Sequence, residues 1–240
     1  MLLTAGATSV GREVPLIRTF AEIAVLWIVA DIGYYGLLPA LGFRRSYSAE
    51  PVVIALYYAL GLAVAVFAFW RLYRTWKPCE NRPRTYALVL LMFGAIFLFA
   101  AYILPNLPTI IWTESWEPPE LMVVTSWYFL PKSVEILLQQ LLIVALVLSF
   151  SAQRFSIRAI SIWCALLFGG AHLILAFGGL PFGYVTRFVA AAMAFAFVFP
   201  YLILRVPNGF IYSYALHWFY YIATIVMAHL LSPYSTFSST

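Results

Sequence analysis

Two histidines stand inside long apolar stretches, His172 in LLFGGAHLILAF and His217 in YSYALHWFYYIA. A third stretch carries the adjacent pair Gln139-Gln140. An imidazole can move protons or ligate a metal, and a carboxamide can orient a water or a carbonyl. Side chains of this kind are expensive in hydrocarbon and persist facing a bundle interior, so each is a functional candidate by default. Glu135 precedes Gln139 by four residues, which puts both on one helix face a turn apart. A carboxylate there can act as a general base, a role that a neutral carboxamide lacks near neutral pH. Cys79 and Cys164 form no disulfide framework and no metal motif.

The elements that position these residues follow from composition. The chain has 240 residues, 64% apolar and only 10% charged; soluble domains are about 25% charged. The expectation is an all-α polytopic membrane protein in one domain over 1–240. A spanning helix needs about 20 apolar residues. Seven spans are predicted: Phe20–Phe43, Pro51–Leu72, Tyr86–Leu104, Ser133–Phe150, Ser161–Leu180, Val185–Leu204 and Gly209–Leu231. Gln139 and Gln140 then sit in the fourth span, His172 in the fifth and His217 in the seventh.

The net charge of +5 does not point to nucleic acid, because the basic residues cluster at span ends. With the N-terminus inside, Arg12, Arg18, Arg71, Arg74, Lys77, Arg82, Arg84, Arg154, Arg158 and Arg205 fall on inner segments. Only Arg44, Arg45, Lys132 and Arg187 fall outside. The positive-inside rule gives a cytoplasmic N-terminus and an outer C-terminus, as in a bacterial inner membrane. The segment PNLPTIIWTESWEPPELMVVTSWYFLPKS has five prolines, Pro131 the last, and reads as short helices on the outer surface. Glu114, Glu117 and Glu120 are expected on its wet face. Asp31, inside the first span, is expected to hydrogen-bond within the helix bundle, with a Tyr as partner.

The order Gln139-Gln140, then Phe168-Gly-Gly-Ala-His172, then His217 resembles the CAAX-protease and bacteriocin-processing (ABI) family of intramembrane glutamic proteases. That family carries E-E-x-x-x-R, then F-x-x-x-H, then H-x-x-x-N/D on one core bundle. The resemblance covers roughly residues 132–227. It implies a family-like core in which the fourth, fifth and seventh spans converge around Gln139, Gln140, His172 and His217. It also implies a water activated by the first glutamate and an oxyanion site at the third motif. Here Gln139 and Gln140 replace the glutamates, Val144 replaces the arginine and Tyr221 replaces the Asn/Asp. The resemblance thus implies a catalytically inactive relative that acts as an accessory, assembly or binding subunit of a membrane complex.

Two rivals come from the same residues. An active peptidase would use Glu135 with His172 and His217, and Tyr221 as an oxyanion donor. A lipid- or pigment-binding protein would use a cavity in the core. A bis-histidine haem between His172 and His217 would need two facing helices and a ring-sized pocket, with Gly169 and Gly170 admitting the flat group beside His172. No cofactor and no metal are expected. The expected partners are other membrane proteins and lipids.

Overall fold

The structure, a computed structural model, describes residues 15–76, 81–113, 118–173, 176 and 182–236. The fold is all-α. Its helices are α1 (Leu16–Ile32), α2 (Pro51–Ala68), α3 (Trp70–Tyr73), α4 (Arg82–Leu98), α5 (Phe129–Ala152), α6 (Ile157–Ala171), α7 (Phe182–Arg205) and α8 (Gly209–Leu231). A π-turn at Gly33–Leu37 extends α1, and another at Phe99–Ile103 extends α4. Among the described residues six helices are long and apolar enough to cross a membrane: Leu16–Ala40, Pro51–Ala68, Arg82–Asn106, Ser126–Ala152, Phe182–Arg205 and Gly209–Leu231. These support an integral membrane protein.

The fifth expected span is the exception. Helix α6 has 15 residues and rises about 22 Å, short of the roughly 30 Å hydrocarbon layer. Apolar residues continue past His172 in the sequence, but only Leu173 and Ala176 of residues 173–181 are described. Ser156 caps the start of α6, its hydroxyl accepting from the Ala159 N–H at 3.3 Å.

Contacts divide the chain into two compact units. The first holds 1–27, 63–85 and 139–213; the second holds 28–62, 86–138 and 214–240. Every break falls inside a helix: α1, α2, α4, α5 or α8. The span containing α5 is the most enclosed, 61% buried against 17–33% for the other five. Polar groups on α5 are therefore withdrawn from lipid. Large apolar side chains such as Ile17, Phe67, Leu90 and Phe182 are exposed, as on helices that face lipid.

In the first unit, α6 packs on α7, with Gly169 so close to Met193 that a Cβ would overlap it. The α7–α8 turn depends on Asn208, which has φ 60° and is buried. Its Oδ1 accepts from the Asn81 N–H at 3.3 Å; its Nδ2 donates to the Asn81 carbonyl at 3.3 Å and to Thr85 Oγ1. Gly209 follows because any side chain there would strike the Leu202 carbonyl.

In the second unit, Gly33 leaves room for the Tyr57 ring against the α1 backbone. The Tyr57 hydroxyl reaches the carbonyls of Val29 and Ala30 at 2.9 and 3.0 Å. An outside donor at helical carbonyls accompanies a widened turn, and the π-turn starts at Gly33. The start of α5 is held to α8 by the Tyr214 hydroxyl on the Ser133 carbonyl at 2.8 Å and by Phe129 stacked on Trp218 at 5.3 Å.

The long connection between α4 and α5 contains two short 3-10 turns, Glu120–Met122 and Ser126–Tyr128. A two-residue strand, β1 (Thr109–Ile110), pairs antiparallel with β2 (Ser235–Thr236), matching Thr109 to Thr236 and Ile110 to Ser235. His229 Nδ1 meets the Pro108 carbonyl at 2.8 Å. Pro131 is a correction to the expected loop: it stands in the first turn of α5, where the missing N–H costs no helical bond. Glu114 and Glu117 lie outside the described residues, as does Cys79. Asp31 is partly exposed and lies within electrostatic range of Tyr35 and Tyr57.

Candidate functional site

The second unit contains a buried ion pair inside a box of tyrosines. Lys132 and Glu135 stand three residues apart in the first turns of α5, with Nζ 2.6 Å from Oε2. Their side chains are only 9% and 12% exposed. The sequence alone puts Lys132 among the outer loop cations and Glu135 within reach of water. Both expectations are corrected, because α5 begins at Phe129 and carries the pair inward.

The surrounding phenols come from other elements. Tyr47, in the α1–α2 connection, donates from its hydroxyl to Glu135 Oε2 at 2.8 Å. Burial pushes the Tyr47 phenol well above its usual range, so it stays a donor. Its oxygen lies 2.9 Å from that of Tyr58 on α2. The single Tyr47 proton goes to the carboxylate, the stronger acceptor, so Tyr58 supplies the proton of the second bond. The rings of Tyr34 and Tyr128 pack on Tyr47 at 5.1 and 5.5 Å.

Lys132 has aromatic neighbours as well as an anion. Its ammonium lies 4.3 Å from the Tyr221 ring centre and 5.0 Å from that of Tyr47. A desolvated cation over an aromatic face gains about 2 kcal/mol. On α8, Tyr221 stacks on His217 with ring centres 5.6 Å apart and planes 18° from parallel. Three of the six expected site residues, Glu135, His217 and Tyr221, therefore belong to one cluster, and Lys132 is the residue that joins them. In that cluster Tyr221 offers its ring face to a cation.

Glu120, expected to be wet, is half-buried and accepts a hydrogen bond from the Tyr47 backbone N–H. Burial pushes its carboxyl up to about 7; the Tyr47 N–H and the Lys132 ammonium pull it back only in part. Tyr47 thus touches both acids, Glu120 with its backbone and Glu135 with its hydroxyl. A titratable group near neutral beside a fixed ion pair is a functional-site signature.

The other three expected residues lie in the first unit. Gln140 is fully buried, and its Oε1 is 3.1 Å from the Ser213 hydroxyl. That hydroxyl also reaches the Phe210 carbonyl at 2.8 Å, so its one proton is shared between two acceptors. Gln139, a residue earlier, is half-buried. Val144, where the resemblance would put an arginine, is fully buried.

His172 ends α6 and is half-buried. Its Nδ1 lies 2.8 Å from the Phe168 carbonyl, one turn back. A carbonyl can only accept, so Nδ1 carries the proton. The ring packs against Phe168 at 4.9 Å and Trp27 at 6.0 Å, and Trp27 meets Phe168 edge-on at 5.3 Å. The F-x-x-x-H spacing therefore makes a local aromatic lock at the end of α6.

The arrangement is better suited to fastening than to general-base chemistry. Glu135 Oε2 already receives an ammonium and a phenol, and taking a proton there would break the ion pair. Lys132 is bonded in the same way and is not a free amine nucleophile. Among the described residues no group of three or more His, Cys, Asp and Glu side chains could hold a metal ion.

No family model matches the chain, and neither a curated protein nor a solved structure is similar to it.

Proposed function

We propose that the protein is a non-proteolytic integral membrane subunit, a degenerate relative of CAAX-type intramembrane proteases that works by binding other membrane proteins. The observation that carries this reading is the engagement of Glu135, four residues before Gln139 in the sequence, by Lys132 at 2.6 Å and Tyr47 at 2.8 Å. A base so held has no ready lone pair for a substrate water on that oxygen. Gln139 and Gln140 supply no alternative base. The relation to the protease family rests on Phe168, His172 and His217 alone. On this proposal the N-terminus is cytoplasmic and the C-terminus is outside, in a bacterial inner membrane.

The test is made on the full chain reconstituted in liposomes with a fluorogenic peptide library. The expected result is no cleavage above empty liposomes, unchanged by Glu135→Gln or His172→Ala. Affinity isolation from native membranes in mild detergent should meanwhile return a membrane protein in fixed stoichiometry. Cleavage above empty liposomes that His172→Ala abolishes in a variant that melts like the parent would establish the peptidase instead.

A further inference from the structure

Five exposed arginines gather at one end of the first unit. Arg71 lies in α3 and Arg74 just after it; Arg82 and Arg84 stand in the first turn of α4; Arg205 ends α7. Side-chain contacts bring these elements together. Trp76, two residues after Arg74, packs on Phe210 at 5.9 Å. Asn81, next to Arg82, is bonded in both directions to Asn208, three residues past Arg205. The Arg84 guanidinium donates to the Tyr212 hydroxyl at 2.8 Å, which fixes its position.

Lys77 and Glu80 of the same connection lie outside the described residues. Among the described residues of the unit Glu22 is the only acid, and it is bonded to Arg18 at 2.8 Å. None of the five arginines takes part in an ion pair among the described residues. Positive-inside orientation needs only cations of either kind, and the described cations gathered here are Arg. A guanidinium presents a planar fork that pairs with two phosphate oxygens, where an ammonium acts as a point charge. Trp70, 57% exposed, stands beside Arg71. An indole at that level is the usual anchor of the membrane–water boundary.

The four helices that reach this end through α2–α3, α4, α7 and α8 belong to candidate spans. The arginines therefore sit at headgroup depth, where the available anion is a lipid phosphate. We propose that this platform binds the phosphate headgroups of anionic glycerophospholipids and retains such lipid at the helix ends. The proposal is independent of whether the protein is a protease.

The full chain in mild detergent is titrated with phosphatidylglycerol and, separately, with phosphatidylcholine, and bound lipid is counted by native mass spectrometry. Phosphatidylglycerol should bind roughly tenfold or more tightly. The preference should vanish in Arg82→Gln/Arg84→Gln/Arg205→Gln and in Arg71→Gln/Arg74→Gln, two variants on different helices. Arg187→Gln, about 27 Å along α7 from Arg205, should keep it, and an excess of inorganic phosphate should not displace the lipid. Equal retention of the two lipids overturns the proposal. So does an unchanged preference in either arginine variant that melts like the parent, or full displacement by inorganic phosphate.

Discussion

Lys132 and Glu135 define the energetics at the scale of single residues. A buried ion pair barely repays its desolvation, but breaking one half strands a charge and costs roughly 3–5 kcal/mol. Lys132→Met or Glu135→Gln alone should lower stability by that amount in denaturant titrations in detergent. Lys132→Met with Glu135→Leu should recover most of the loss; additive losses would mean that the two charges do not depend on each other. Glu120 gives a pH signature of its own. Its carboxyl is raised from 4.5 to about 7 in the fold, so between those values the folded state holds a proton that the unfolded chain has released. Its stabilising contribution is complete below about 4.5 and is lost as pH rises towards 7. Melting temperature in detergent should fall over that window, and Glu120→Gln should flatten the fall.

At the scale of elements, the α7–α8 turn is held by conformation and by bonding together. Asn208 occupies the left-handed region at φ 60° and makes three side-chain hydrogen bonds to the start of α4. Asn208→Ala should cost about 2–4 kcal/mol, combining lost bonds with the penalty for a Cβ residue at positive φ. Asn208→Gly should cost less, because it removes the bonds and relieves the backbone. Chemical-denaturation midpoints of the two variants separate the contributions; equal losses would leave no share for backbone strain. Helix α6 shows a different rule. Its apolar run is long enough for a span, but its regular helix closes at Ala171, where His172 turns its ring back onto the Phe168 carbonyl.

At the scale of the molecule, the spans are legible in the sequence because 20-residue apolar runs have almost no other use. Gly209–Leu231 agrees at both ends, and the other long helices differ from expectation by a few residues at one or both ends. What the sequence hides is pairing across elements. Lys132, Glu135 and Gln139 follow an i, i+3, i+7 spacing that marks one helix face. Pro131 nevertheless argues for a loop, which assigns Lys132 to solvent. Tyr47 and Tyr58 carry no signal at all, since sixteen tyrosines are spread along the chain and nothing local distinguishes these two. Glu120 sits among prolines and looks like surface. His217 and Tyr221 are legible as candidates, but their neighbour Lys132 is needed to show what they surround.

Tyr47 also bears on how the chain is made. Its hydroxyl partner Glu135 lies 88 residues later and its backbone partner Glu120 lies 73 later. At roughly 5–20 residues per second of synthesis, Tyr47 is made about 4–18 s before Glu135. Through that interval the Tyr47 phenol lacks its carboxylate, and through most of it the Tyr47 N–H lacks Glu120. The α1–α2 hairpin therefore inserts in a provisional state and is completed only when α5 arrives.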